Sequence, residues 1–306
     1  MCFALSTSWN ASRHKNGKEM IFEIKQLGFD NVELSFNLDP AMVSQVLELV
    51  KGNQVKVSSV HNYCPIPAGF SREEALPDCL SISSLDEIER KSAVKYTKRS
   101  IDTAVALGAR AVVLHCGRVE VKDRTRDLIN LCQSNNKDTP EFSGLREDIV
   151  NERKNLSKKY FEKALLSLDE LNTYAKEKNV LLGVETRFYY REIPSFEEIG
   201  LILKEFQGSN IFYWHDTGHA QLMENLGLGK HLDFLNSYAG SMLGIHLHDI
   251  TTCRDHQAPS SGELDFKILA PYLKQETIKV IEAHYPATPQ EIVKSKKFLE
   301  DTLNDN

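Results

Sequence analysis

The sequence has little that would place it in a membrane or outside the cell. It contains no apolar stretch near the roughly 18 residues that a transmembrane helix needs. Its first ten residues, MCFALSTSWN, lack the basic region and the long apolar segment of a signal peptide. Its six cysteines are scattered and form no C-x-x-C pair. We therefore expect a cytoplasmic protein without a membrane partner, and reduced thiols rather than disulfides.

An excess of positive charge is also absent. The chain has 37 lysine and arginine residues against 43 aspartate and glutamate residues, which gives a net charge of −6. Proteins that bind nucleic acids usually present a basic face, so this balance disfavours a nucleic-acid partner, although a local basic patch is compatible with it. No low-complexity tract or Pro/Ser-rich linker divides the chain, and we expect residues 1–306 to form a single domain.

What the sequence does contain is a regular alternation of two patterns. Short β-branched and aliphatic runs alternate with longer amphipathic segments, which indicates a parallel sheet. Eight such units in 306 residues favour a closed (β/α)8 TIM barrel over an open doubly wound sheet. No G-x-G-x-x-G follows the first run to support a dinucleotide-binding fold. The predicted strands are 2–8, 31–36, 55–61, 111–117, 180–187, 211–216, 244–250 and 278–285.

Residues 117–150 do not fit this alternation. The segment is too long for a plain connection between a strand and a helix. We predict that it forms a lid or an excursion over the active face, followed by a helix near 150–178.

Polar residues stand at the ends of six of the eight predicted strands. In a parallel barrel these ends lie on one face around one axis, so the residues converge. Imidazoles and carboxylates buried together need compensation, which a divalent cation supplies. A single such residue is more often a helix cap or a hydrogen-bonded core residue, but the set predicts a metal site without fixing its ligands. The residues are His61, His115, Glu185, Asp216 with His219, His246 with His248 and Asp249, and Glu282 with His284.

Side-chain alternation along a strand separates some of these residues. His215 should point away from Asp216, so we interpret it as a packing residue. His246 and His248 should share a face, with His246 deeper in the barrel.

The strand ends are similar to motifs of the xylose isomerase-like barrel superfamily. This superfamily contains sugar-phosphate isomerases and epimerases, ketose 3-epimerases and metal-dependent apurinic-site endonucleases. The resemblance runs from LGFDNVELS (27–35) to VIEAHY (280–285), and its most specific parts are GVETR, HDTGHA, GIHLHDI and DHQAPSSGELDF (255–266). Together these motifs indicate the superfamily but not one reaction.

The resemblance implies particular metal ligands. His61 and His115, with a bridging Glu185, match a second metal site of the endonucleases. His219 matches a residue that binds substrate in the epimerases and a further metal in the endonucleases. His256 matches the loop histidine of the endonucleases' third site. The tetrad that both groups of enzymes share is matched by Glu185, Asp216, His246 and Glu282.

The favoured activity is that of a metal-dependent isomerase or epimerase acting on a small sugar or related polyol. Proton transfer next to a carbonyl needs a base near the substrate and positive charge near the enediolate. Three carboxylates and one imidazole suit Mn²⁺, Mg²⁺ or Co²⁺. The implied catalytic residues are Glu185, Glu282 and His219, and His219 and His256 are also candidates for substrate binding.

The loop after the fifth predicted strand offers further candidates. The aromatic residues 188–190 either pack this loop or form a wall for a small ligand. In the second case Arg187 or Arg191 would bind a carboxylate or phosphate of the substrate.

Other functions remain open. A metal-dependent phosphodiesterase, similar to the apurinic endonucleases, would use two or three metals, and its histidine ligands would favour Zn²⁺. Arg254, however, stands where the endonucleases' third site has an aspartate. A lyase or dehydratase, or a non-catalytic barrel that keeps its metal for stability or senses a sugar, is also compatible with the pattern. The oligomeric state is open, and a homo-oligomer is one alternative.

Overall fold

The chain folds into a closed barrel of eight parallel strands surrounded by helices. The computed structural model describes residues 2–303. The barrel closes through its last strand, which pairs with both the seventh and the first, so the predicted (β/α)8 TIM barrel is confirmed. The barrel strands are β1 (Ala4–Ser6), β2 (Asn31–Leu34), β3 (Lys56–His61), β4 (Ala111–Leu114), β5 (Leu181–Glu185), β6 (Ile211–Asp216), β7 (Met242–Leu247) and β10 (Ile278–Ile281).

Local sequence explains where several helices begin and end. Asn16 and Asp39 accept hydrogen bonds from first-turn amides, and Ser195 forms a capping box with Glu198. Gly108 ends the third helix with a left-handed φ of 66°. Among residues 2–303, no helix is both long and apolar enough to span a membrane. The helices are α1 (Gly17–Gln26), α2 (Pro40–Lys51), α3 (Glu87–Leu107), α4 (Thr125–Gln133), α5 (Pro140–Lys178), α6 (Phe196–Glu205), α7 (Thr217–Asn225), α8 (His231–Tyr238) and α9 (Pro289–Leu303).

Three elements differ from the sequence-based expectation. The predicted strand 244–250 is divided, because β7 ends at Leu247 and an antiparallel hairpin of β8 (Asp249–Thr251) and β9 (Arg254–Gln257) follows. Helix α7 was not expected and begins directly after β6. Helix α5 begins at Pro140 rather than near residue 150.

The segment 117–150 forms α4 and the first part of α5. Leu128, Phe142 and Ile149 of this segment pack with Leu222 of α7 and Ile250 of β8 in one buried apolar cluster. The segment is thereby attached to elements that follow β6 and β7. That it moves as a lid stays a prediction.

The cysteines correct one expectation. Cys132 of α4 forms a disulfide with Cys253 in the turn between β8 and β9, so the prediction of reduced thiols is wrong for this pair. Both residues belong to the apolar cluster that packs α4 against the hairpin, and packing brings their Cα atoms to 6.3 Å. The two positions are 121 residues apart, so their spacing did not indicate pairing. The remaining thiols, Cys2, Cys64, Cys79 and Cys116, are free.

Inside the barrel, a layer of three residues closes the space beneath the strand ends. We call it the glycine–tryptophan layer, made of Gly183, Trp214 and Gly244. The Trp214 side chain is completely buried. A β-carbon at Gly183 would lie 2.7 Å from Trp214 Cε3, and one at Gly244 would overlap the same ring, so both glycines make room for the indole. Each member stands two positions before a polar strand-end residue, namely Glu185, Asp216 and His246.

Candidate active site

The polar ends of β5, β6 and β7, and the residue after β10, meet in one buried cluster. One ligand atom from each of Glu185, Asp216, His246 and Glu282 lies within 4.8 Å of the others. All four residues are buried. The barrel thus brings together the four residues that the resemblance assigned to metal binding, and we call them the tetrad.

His246 stands at the centre of the tetrad. Its Nδ1 lies 3.0 Å from Glu185 Oε1, 2.9 Å from Glu282 Oε2 and 3.6 Å from Asp216 Oδ2. On the other side of the ring, Nε2 lies 3.0 Å from Glu33 Oε1. When His246 donates its Nε2–H to Glu33, the lone pair of Nδ1 faces the centre of the tetrad and can bind a metal ion. An outer carboxylate orients metal-binding histidines in this way.

Asp216 uses its two oxygens differently. Oδ1 accepts hydrogen bonds from the His219 amide at 2.8 Å and from His248 Nε2 at 2.7 Å. His248 Nδ1 accepts from the His256 amide, which places the proton of His248 on Nε2. Oδ2 is buried and has no hydrogen-bond partner among residues 2–303. Because an unpaired buried carboxylate oxygen is costly, this atom fits the role of a metal ligand.

The electrostatics of the tetrad call for a cation. Burial alone would raise the pKa of Glu185, but His115 and Arg187 lower it well below its ordinary value, and the pKa values of Asp216 and Glu282 are also lowered. Burial would lower the pKa of His246, but Glu282 raises it well above the ordinary range. Three ionised carboxylates therefore surround one imidazole nitrogen, and a proton or a metal ion must offset their repulsion. This donor set suits a divalent cation.

Glu185 also faces a second group of nitrogen atoms. Its Oε2 lies 2.7 Å from His115 Nε2 and 3.6 Å from His61 Nε2. His115 Nδ1 lies 3.1 Å from Asp78 Oδ2. Burial and the charge of Arg187 act to lower the pKa of His115, but Asp78 and Glu185 raise it to about 9. The two histidines predicted for a second metal thus lie together beside Glu185, with His115 already paired to two carboxylates.

Arg187 is buried between protein carboxylates. Its Nη1 lies 3.1 Å from Glu185 Oε2, and its Nη2 lies 3.1 Å from Glu192 Oε1. Burial raises the pKa of Glu192 to about 7, against the opposing effect of Arg187. Each terminal nitrogen thus donates to a protein carboxylate, while the buried Nε has no hydrogen-bond partner among residues 2–303. That Arg187 binds substrate stays a prediction. Arg191, the other candidate, lies 3.7 Å from Asp123.

His219 and His256 lie next to each other at the edge of the tetrad. His219 Nδ1 donates to the Thr186 carbonyl at 3.0 Å, and its buried Nε2 has no partner among the described residues. Burial lowers the pKa of His219 to about 4, so the neutral ring offers Nε2 as an acceptor. The rings of Phe188 and His256 lie 4.7 and 5.2 Å from the His219 ring.

A cavity of about 550 Å³ adjoins these histidines. Its wall includes His256 and His284, whose rings stack 3.9 Å apart and which each bring a ligand nitrogen within 4.8 Å of a Glu282 oxygen. Phe188 lines the same cavity, as a ligand wall would require. The cavity therefore lies beside the tetrad on the side of the β8–β9 hairpin, with His256 and His284 between it and Glu282.

Sequence reasoning missed three carboxylates that hold the site. They are Glu33 beside His246, Asp78 beside His115, and Glu192 beside Arg187. Glu33 could have been recognised in the sequence, because it is a charged residue inside the apolar run of β2. In the structure it is completely buried. Asp78 and Glu192 lie outside the barrel strands, and no such pattern marks them.

His215 points away from the tetrad, as alternation predicted. Its Nδ1 lies 2.7 Å from the Tyr213 hydroxyl, and its Nε2 lies 2.9 Å from His231 Nε2. His231 Nδ1 in turn lies 3.2 Å from Gln221 Oε1. If both imidazole rings are neutral, each of these hydrogen bonds has one donor and one acceptor. His231 then donates to Gln221 and accepts from His215.

Solved structures share this architecture. A D-tagatose 3-epimerase-like protein aligns over 99% of this chain and 97% of its own, at 20% identity and a TM-score of 0.71. The 3-keto-D-glucoside 4-epimerase YcjR from E. coli, in its apo form, aligns over 98% and 99%, at 16% identity and 0.67. The IOLI protein with a bound zinc atom aligns over 99% and 98%, at 14% identity and 0.68. At these identities the likeness shows the fold alone.

Sequence comparison identifies the family. An uncharacterized protein of Sinorhizobium fredii, y4fM, is 27% identical over 179 residues, which are 58% of this chain and 47% of that protein. The match thus spans about half the length of this relative. The model of the xylose isomerase-like TIM barrel matches residues 21–302. The chain therefore belongs to the xylose isomerase-like TIM barrel family.

Proposed function

We propose that the protein is a metal-dependent isomerase or epimerase that moves a proton next to the carbonyl of a small sugar or related polyol. The observation that carries the proposal is a pair of buried carboxylates, Glu185 and Glu282, both within 3.0 Å of His246 Nδ1. The epimerase names of two structural neighbours, a D-tagatose 3-epimerase-like protein and a 3-keto-D-glucoside 4-epimerase, support it.

The tetrad fits a divalent cation. Its donors are three carboxylates and one imidazole, and the unpartnered Asp216 Oδ2 supports this assignment. Mn²⁺, Mg²⁺ and Co²⁺ suit such donors, and the zinc atom of the IOLI protein adds Zn²⁺ to the candidates. When bound, the cation would act as a Lewis acid that polarises the substrate carbonyl.

The chain's own residues would move the proton. The lowered pKa values of Glu185 and Glu282 keep both carboxylates ionised at neutral pH. One of them can therefore take the proton from the substrate carbon, and the other can take part in returning a proton to form the product. His219 would accept a hydrogen bond from a substrate hydroxyl at Nε2. The glycine–tryptophan layer would keep water from reaching the carboxylates through the barrel, because Trp214 fills that space.

Solvent exchange tests the proposal. The protein, loaded with Mn²⁺ in D2O, is incubated with a panel of ketoses, inososes and hydroxypyruvate, and deuterium at carbon is measured by mass spectrometry. We expect exchange on at least one compound, and we expect Glu282→Gln and Glu185→Gln to slow it by at least about 100-fold, as loss of a general base does.

A matched control is Glu205→Gln, an exposed glutamate at the end of α6. It should leave the exchange rate unchanged, and circular dichroism should show the same fold for all three variants. Wild-type exchange in a folded Glu185→Gln protein would contradict the mechanism.

A metal-dependent phosphodiesterase is the second candidate. It is favoured by His61 and His115, which together with Glu185 offer a second set of ligand atoms within 4.8 Å of one another. It is disfavoured by Arg187, because Nη1 already supplies positive charge to the Glu185 oxygen that a second metal would need. Two or three zinc ions per chain and cleavage of abasic DNA would favour this candidate. One ion per chain and no cleavage would favour the isomerase.

A further inference from the structure

The cavity beside the tetrad has an uneven distribution of charge. Its Asp255 carboxylate pairs with His256 Nδ1 at 3.1 Å. Its Glu291 carboxylate accepts hydrogen bonds from the Thr288 amide at 2.7 Å and the Thr288 hydroxyl at 2.8 Å. Asp255 is therefore paired with a histidine, and one oxygen of Glu291 is held by Thr288.

Arg254 is the exception. It lines the same cavity, and among residues 2–303 its guanidinium pairs with no carboxylate. The backbone carbonyl of Arg254 accepts a hydrogen bond from Gln257 Nε2 at 2.9 Å, and the guanidinium takes no part in this contact. Among residues 2–303, the charge of this exposed arginine therefore has no carboxylate partner.

A second polar atom in the cavity is also without a partner. His284 Nε2 is buried and makes no hydrogen bond to any residue in the described part of the chain. His284 stacks on His256 and brings a ring nitrogen within 4.8 Å of a Glu282 oxygen. Buried polar atoms are normally satisfied, so this nitrogen is suited to a ligand that enters between Arg254 and the tetrad.

We propose that this cavity binds an anionic group of the substrate, with Arg254 as its counter-charge and His284 Nε2 as a further hydrogen-bonding atom. The inference rests on the proposed function and narrows its substrate to a polyol that carries a carboxylate or a phosphate. Guanidinium groups suit both anions, because they donate two parallel hydrogen bonds.

Binding of three matched probes tests the inference. Glucose, gluconate and glucose 6-phosphate share a six-carbon polyol and differ in charge, and each is titrated calorimetrically into the Mn²⁺-loaded protein. We expect at least one anion to bind about tenfold more tightly than glucose, a preference that weakens as salt screens the charge. The two anionic arms distinguish a carboxylate from a phosphate.

Variants at Arg254 separate the contribution of its charge to anion binding from that of the metal. Each variant carries the same Mn²⁺ ion. Arg254→Gln should remove the tenfold preference, and Arg254→Lys should retain part of it. Lys267→Gln, which removes an exposed positive charge outside the cavity, should bind all three probes as the wild type does.

Three outcomes would overturn the inference: equal binding of the three probes, no measurable binding of either anion, or an anion preference that survives in Arg254→Gln. The proposed function fails separately. An anion preference that depends on Arg254, without any solvent exchange, would remove the isomerase and keep the anion site. Solvent exchange on a neutral ketose, without an anion preference in binding, would keep the isomerase and remove the anion site.

Discussion

Side chains around the tetrad share one property at the residue scale: the protein holds one polar atom and directs the other into the site. His246 gives Nε2 to Glu33, and His219 gives Nδ1 to the Thr186 carbonyl. Asp216 uses Oδ1 to cap α7, while Oδ2 makes no hydrogen bond to any residue in 2–303. The atoms that face the site are therefore oriented before any ligand arrives, which lowers the cost of binding one.

Glu33 provides a test of this orientation. Glu33→Gln should weaken metal binding by about 10-fold or more, because the amide lacks the charge that fixes the His246 ring and raises its basicity. The dissociation constant for Mn²⁺ or Zn²⁺, measured by competition with a chelator, checks this without reference to turnover.

Ser59→Ala is the matched control. Ser59 Oγ donates to Glu33 Oε2 at 2.7 Å but does not touch His246, so its loss should change metal affinity much less. An unchanged affinity in Glu33→Gln would show that Glu33 does not act on the metal site.

The tetrad could be predicted from the sequence because each member stands at or just after the end of a periodic apolar run. Glu33 could not be assigned a partner, since it is 213 positions from His246 and only barrel closure brings them together. The pairing of Arg187 with Glu192 could not be predicted either, because the folded loop alone brings the two side chains together.

At the scale of elements, β6 shows how one strand serves two layers. Trp214 and Asp216 point into the barrel, whereas Tyr213 and His215 point towards the helices. Trp214 pairs in register with Glu185 on one side and Gly244 on the other. The space for its indole therefore depends on small residues in the neighbouring strands.

Gly244→Ala should destabilise the barrel. The new methyl group would overlap the Trp214 ring, and overpacking of this kind costs about 1–3 kcal/mol. Urea denaturation measures the change in the free energy of unfolding.

Two further variants give this test its controls. Gly240→Ala adds a methyl group that meets nothing within 4 Å and should be nearly neutral. The double variant Gly244→Ala, Trp214→Leu should lose less stability than the sum of the two single losses, because the indole that the new methyl group would overlap is absent. Additive losses would contradict the assigned role of Gly244.

Element boundaries were predictable where turns or caps separate the patterns. Helix α7 was missed because Asp216 both ends β6 and caps the helix, which leaves no loop between them. The β8–β9 hairpin was merged with β7 because its first residues continue the same apolar run. In both places one short segment serves two elements, so its composition indicates only one.

At the scale of the whole molecule, buried neutral histidines link folding to pH. His231 is the clearest case, since burial lowers its pKa to about 4. An unfolded histidine has a pKa of about 6.5, so between these values the unfolded chain binds more protons than the folded protein. The contribution of His231 to the free energy of unfolding therefore falls as the pH falls from about 6.5 towards 4.

His231→Gln should reduce this dependence. The amide can still accept a hydrogen bond from His215 but does not titrate. Between pH 6.5 and 4, the free energy of unfolding of the variant should therefore fall by up to about 3 kcal/mol less than that of the wild type. Urea unfolding at several pH values, referred to each protein's own value at pH 7.5, measures the difference. Parallel curves for the two proteins would rule out His231 as a source of the acid sensitivity.

The disulfide between Cys132 and Cys253 has a consequence for proteolysis. The covalent ring that it closes contains Glu185, Asp216 and His246, whereas Glu282 lies outside it. A single protease cut inside the ring leaves both fragments joined until a reductant is added. A cut between residues 253 and 282 separates Glu282 covalently from the other three, with or without a reductant.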